Sequence, residues 1–112
     1  LYTEAYNNVI EIQGDGKVLG FAKKISPLVK VKKIKLNPGD IVLACTDGLL
    51  DSVSLRGEFY GKDRVQKVIL DNKTYDSSRL IQFIFDDMLQ FVSKELQDDV
   101  TIVSLRMRKP QE

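Results

Sequence analysis

The stretch "DIVLACTDGLLDSV", residues 40–53, runs five apolar residues, Ile41 to Cys45, almost straight into two aspartates, Asp47 and Asp51. An apolar run of this length without polar alternation fits a strand covered on both faces, near the middle of a sheet. Carboxylates just past its end then stand where the sheet opens to solvent. The run is entered through "NPGD" at 37–40, a turn by composition, because Pro38 presets φ and Gly39 tolerates the conformation that follows. Cys45, the chain's one cysteine, lies inside the run. That excludes an internal disulfide and a cysteine-based zinc site and leaves a small buried packing residue.

Downstream the period changes. "GKDRVQKVIL" (61–70) predicts a short helix, and "DSSRLIQFIFDDMLQFVSKEL" (76–96) a long one with Asp76 or Ser77 as its N-cap. Ile81, Ile84, Phe85, Met88 and Val92 recur at helical spacing and predict the stripe that lies on a sheet. "LQDDVTIVSLRMR" (96–108) opens with Asp98 and Asp99 and continues as a strand. Val100, Ile102 and Ser104 share one face of it, and Thr101, Val103 and Leu105 the other.

Upstream, "NNVIEI", the glycine turn in "QGDGK", "VLGF" and "LVKVKKIKL" read as short antiparallel strands. In the last of these the apolar parity shifts from Val29 and Val31 to Ile34 and Leu36, which predicts a bulge or bend at Lys32–Lys33.

The totals, 112 residues with 43% hydrophobic content, allow one domain with one modest core. No run approaches the roughly 20 apolar residues that span a bilayer, so a soluble, cytoplasmic chain is expected. It opens at Leu1 rather than Met, which predicts a piece of something longer. With no histidine, serine–histidine triads, histidine zinc sites and imidazole acid–base chemistry are excluded. Seventeen basic groups against sixteen acidic ones give no global pull toward nucleic acid. Six lysines between Lys23 and Lys35 form a local strip that alternates with apolar residues, as an outer sheet face does. Its rival reading, polyanion binding, predicts steep salt dependence.

Two strands with acids at one terminus bring those acids together if the strands are neighbours. Clustered carboxylates repel one another unless cations sit among them, and hard oxygen donors suit magnesium or manganese. Asp-Gly and Asp-Asp are also ordinary solvated turns, and spacing alone does not choose between the two.

Four motifs in order do more. Pro38-Gly39-Asp40, Thr46-Asp47-Gly48, Tyr60-Gly61 before a short helix, and Asp98-Asp99-Val100-Thr101 on the last strand resemble the later half of the type 2C metal-dependent protein serine/threonine phosphatases. The likeness is closest to their bacterial sporulation and stress-response branch, which is like stage II sporulation protein E. It extends over nearly the whole chain, more loosely before residue 30. It implies an α+β fold, an antiparallel sheet from a β-sandwich flanked by helices, with residues 1–112 as the C-terminal portion of the catalytic domain.

The resemblance also implies a two-metal site for Mn2+ or Mg2+, with Asp47 and Asp98 as metal ligands. Gly48, Asp51 and Asp99 would be neighbours that orient the site or its waters. Such a clamp holds ions about 3.5 to 4 Å apart around an activated water. The family's early acidic motifs should lie upstream of residue 1, so this chain alone is expected to be weak or inactive. The implied substrate is phosphoserine or phosphothreonine on a regulatory protein, an anti-sigma-factor antagonist in sigma-factor signalling, and no nucleic acid. The alternative is a phosphatase-like regulatory module without chemistry. A half sandwich would leave an apolar sheet face bare, which predicts a homodimer or domain swap.

Overall fold

A computed structural model describes residues 1–12, 33–93 and 98–109. Four strands, β1 (Tyr2–Thr3), β2 (Asn8–Val9), β3 (Ile41–Cys45) and β4 (Ile102–Arg106), form one antiparallel sheet in the order β2-β1-β3-β4. Three helices, α1 (Asp47–Leu50), α2 (Gly61–Asp71) and α3 (Ser77–Phe91), complete an α+β architecture. The first part of the lysine strip, the "QGDGK" turn, "VLGF" and the expected bulge at Lys32–Lys33 fall wholly or partly outside the described residues. Lys33 and Lys35 are exposed.

The apolar run at 41–45 is an interior strand, as its sequence predicts, and β4 pairs along its whole length from Ile41↔Arg106 to Cys45↔Ile102. Register puts Ile41, Leu43, Cys45, Ile102, Ser104 and Arg106 on the face toward the helices. The other face, with the pairs Val42–Leu105 and Ala44–Val103, differs from expectation. Val103 is 59% and Leu105 56% exposed, and Ala44 is exposed too. Among the described residues β3 is therefore covered on one face only, and no second sheet completes a sandwich.

The turn before β3 is built around one buried carboxylate. Asp40 is 3% exposed, and its two oxygens accept from the Glu4 and Asn37 amides at 3.1 and 2.9 Å. Gly39, at φ +91°, makes the turn that aims Asp40 inward. Asp40 and Met107 then join β3 to the end of β4 through Met107 N–H to Asp40 O at 2.9 Å.

α3 begins at Asp76, whose Oδ1 accepts from the Arg79 amide at 2.8 Å, the cap expected from the sequence. It ends at Phe91, short of the expected Leu96, because Ser93 turns into the left-handed region at φ 59°. Its buried row is Leu80, Ile84 and Met88, continued by Val92. Phe85 packs beside this row and Ile81 is half-buried. The true stripe thus runs one residue earlier at its start, along a single i, i+4 line. Each fully buried side chain contributes about 1.5–3 kcal/mol, and α3 uses them against both β4 and α2.

Tyr60, buried at the start of α2, links the two long helices. Its hydroxyl donates to Asp87 Oδ2 at 2.6 Å, and its ring meets Phe91 edge-on with centroids 5.6 Å apart. Burial first, then the hydrogen bond to Asp87 and that carboxylate's charge, push the phenol well above its ordinary range. A folded-state value above the unfolded one means that the stabilisation is complete below about pH 10 and drains away as pH rises further. Unfolding free energy should accordingly fall above about pH 10. Tyr60→Phe should flatten that slope and cost about 1 kcal/mol at neutral pH. Tyr2, also raised chiefly by burial, leaves a residual slope. Alkaline denaturation of both proteins checks this, and identical slopes would remove Tyr60 from the role.

Candidate functional site

β3 ends where its antiparallel neighbour β4 begins, at one side of the sheet, and two reciprocal bonds lock the two termini together. The Thr46 amide donates to the Thr101 carbonyl at 3.0 Å, and the Thr101 amide donates to Thr46 Oγ1 at 3.1 Å. Thr46 sits at the N-cap position of α1, yet its side chain makes no cap bond there. The hydroxyl that local pattern would spend on the helix is spent on the neighbouring strand.

Two residues further on, backbone meets backbone. A Cβ on Gly48 would lie 2.0 Å from the Asp99 carbonyl oxygen and 3.0 Å from its carbon. The Thr-Asp-Gly and Asp-Asp-Val-Thr motifs therefore touch through Gly48 and Asp99, and only a residue without a side chain fits between them. Ser52 Oγ donates to the Gly48 carbonyl at 2.6 Å from the other side. Gly48 acts here by close approach.

The carboxylates surround this junction. Asp47 opens α1, and Asp51 closes it through its amide to the Asp47 carbonyl at 2.8 Å. Asp98 Oδ1 accepts from the Asp99 amide at 2.7 Å, a local side-chain-to-backbone bond just before β4. All four aspartates are exposed. Burial pushes the Cys45 thiol up, and the nearby Asp47 charge adds to it, which keeps the thiol protonated in its packing role.

In kind, these donors suit a hard divalent cation. In number they fall short, because no three acidic, histidine or cysteine side chains converge on one point among the described residues. The residues that sequence reasoning passed over are Thr46, Thr101 and Ser52, which do the joining. The signal was present in the threonine of each motif, but threonine at a strand end looks like a cap or a β-former.

Sequence similarity places the class among the sporulation and stress-response phosphatases of the PPM, or type 2C, kind, and the helix-backed antiparallel sheet that ties these two motifs together is consistent with it. The family model for stage II sporulation protein E (SpoIIE) matches residues 1–108. The chain belongs to that family.

Among curated proteins, phosphoserine phosphatase RsbU of Bacillus subtilis is 24% identical over 107 residues, 96% of this chain and 31% of that protein. Protein IcfG of Synechocystis sp. is 24% identical over 76 residues, 67% of this chain and 12% of its own length. The chain thus spans less than a third of either relative. No solved structure matches it. Among the described residues no helix is long and apolar enough to cross a membrane.

Proposed function

We propose that residues 1–112 are the C-terminal portion of the catalytic domain of a metal-dependent protein serine/threonine phosphatase. The parent protein removes phosphate from phosphoserine or phosphothreonine on a regulatory protein, an anti-sigma-factor antagonist in bacterial sigma-factor signalling. The observation that carries this reading is the Thr46–Thr101 lock with the Gly48–Asp99 contact. It sets the acids of two family motifs around one junction, and the similarity to phosphoserine phosphatase RsbU supports the reaction type.

In this reading Asp47 and Asp98 are two of the ligands for Mn2+ or Mg2+, and residues outside this chain supply the rest. A bound pair of such ions would activate water and offset phosphoryl charge. Gly48 holds the two strand ends at contact distance, Asp99 supplies the carbonyl that Gly48 meets, and Asp51 orients water beside Asp47. The chain alone is then weak or inactive, the parent acts in the cytoplasm, and the bare Val103–Leu105 face is a surface for a second copy or a swapped element.

Calorimetry with manganese tests the site directly. The chain should bind the ion, and Asp47→Asn should weaken binding tenfold or more, about 1.4 kcal/mol. The parent protein in manganese should release phosphate from a phosphoserine protein. Parent protein inactive on every phosphoserine substrate and on p-nitrophenyl phosphate would overturn the reading.

The alternative, a phosphatase-like interaction module without chemistry, predicts no manganese affinity even in the parent.

A further inference from the structure

Between the candidate site and α2 the chain makes a small, tightly built hairpin. Val53 pairs with Phe59, and the Ser54 amide donates to the Glu58 carbonyl at 2.9 Å. Ser54 Oγ accepts from both the Arg56 and the Glu58 amides at 3.2 Å. Its base is fixed at the junction already described, by Tyr60 N–H to Ser52 O at 2.7 Å and Ser52 Oγ to Gly48 O at 2.6 Å.

This ordered element spends its two large apolar side chains on solvent. Leu55 is 85% and Phe59 66% exposed. A single exposed leucine needs no explanation. Two large apolar side chains on one braced hairpin, rooted on the Asp47–Gly48 segment, call for a partner. Arg56 lies between them in sequence and is the sole basic residue of the stretch 46–61, whose other charges are Asp47, Asp51 and Glu58.

We propose that the 53–59 hairpin is a docking element for the phosphoprotein substrate, with Leu55 and Phe59 meeting an apolar patch beside the phosphorylated serine. Arg56 meets the negative charge that the phosphate brings. The inference rests on the phosphatase reading and narrows it to substrates that are folded proteins. A small phosphate ester has no surface for Leu55 and Phe59 to cover. A protein does, and a phosphoserine carries about −1.5 to −2 charge at neutral pH, which Arg56 complements amid acidic neighbours.

The test uses the full-length protein in manganese with two substrates: a purified anti-sigma-factor antagonist phosphorylated on serine, and p-nitrophenyl phosphate. Leu55→Ser with Phe59→Ser should lower kcat/KM on the phosphoprotein tenfold or more, through KM. Turnover of p-nitrophenyl phosphate should stay within twofold. Arg56→Gln should give a smaller loss of the same kind that shrinks at high salt.

Equal losses on both substrates would make the hairpin a support of the site and overturn the docking role, as would no loss on either. A Tm several degrees lower in the double variant would place the two side chains inside the parent protein and also overturn it. Wild-type protein that hydrolyses p-nitrophenyl phosphate but not the phosphoprotein would leave a phosphatase and remove this substrate. Protein inactive on both would remove the phosphatase reading, and this inference with it.

Discussion

Gly48→Ala is expected to lower the unfolding free energy by about 3 kcal/mol, the upper end of ordinary overpacking costs, and to weaken manganese binding tenfold or more. The new methyl would stand 2.0 Å from the Asp99 carbonyl oxygen, and both sides of that contact are backbone, so no side chain can swing away. Relief requires α1 to move from β4, which strains the Thr46–Thr101 bonds and separates Asp47 from Asp98. Helix propensity alone predicts the opposite sign, since alanine is favoured over glycine by about 1 kcal/mol in a helix. Gly48 is also not among the left-handed glycines. Steric approach is thus the sole reason for glycine here, and urea denaturation reads it out. Asp99→Ala keeps the carbonyl and should change stability by no more than about 0.5 kcal/mol. An alanine at 48 that leaves the midpoint unchanged or raises it would refute the contact.

The second large effect belongs to Asp40. Removing its carboxylate leaves the Glu4 and Asn37 amides without acceptors, and hydrogen bonds to a charged group contribute about 1.5–3 kcal/mol each. Both are partly buried, so Asp40→Ala should cost about 3 kcal/mol. Asp40→Asn is the sharper variant. It conserves shape, but one oxygen becomes an NH2 group facing a backbone N–H, so the loss should be at least half as large. Chemical denaturation of the two variants decides, and an asparagine as stable as the wild type would show that one oxygen suffices.

Much of this was legible in the chain. The unbroken Ile41–Cys45 run announced an interior strand, the alternation from Val100 to Leu105 announced β4 and its two faces, and Asp76 announced the start of α3. These signals are local: a strand's period, a helix's period and a cap each operate within a few residues. The order of four motifs added the family, because order and spacing survive where identity has fallen to 24%.

Other features depend on contacts that no local window contains. The α3 stripe begins at Leu80 rather than Ile81 because the packing of α3 on α2 and β4 chooses which of two adjacent apolar residues goes inside. The outer face of β3 is bare because burial on that side needs a layer that the described residues do not supply. The bond from Thr101 to Thr46 spans 55 positions, and the clash that forbids a side chain at Gly48 exists only once β4 lies beside β3. Sequence by itself determined β3, β4 and the two long helices, and the acids at two strand termini. Tertiary structure alone decided that those ends meet, since strand register fixes distances between residues remote in sequence, and local propensity carries no information about them.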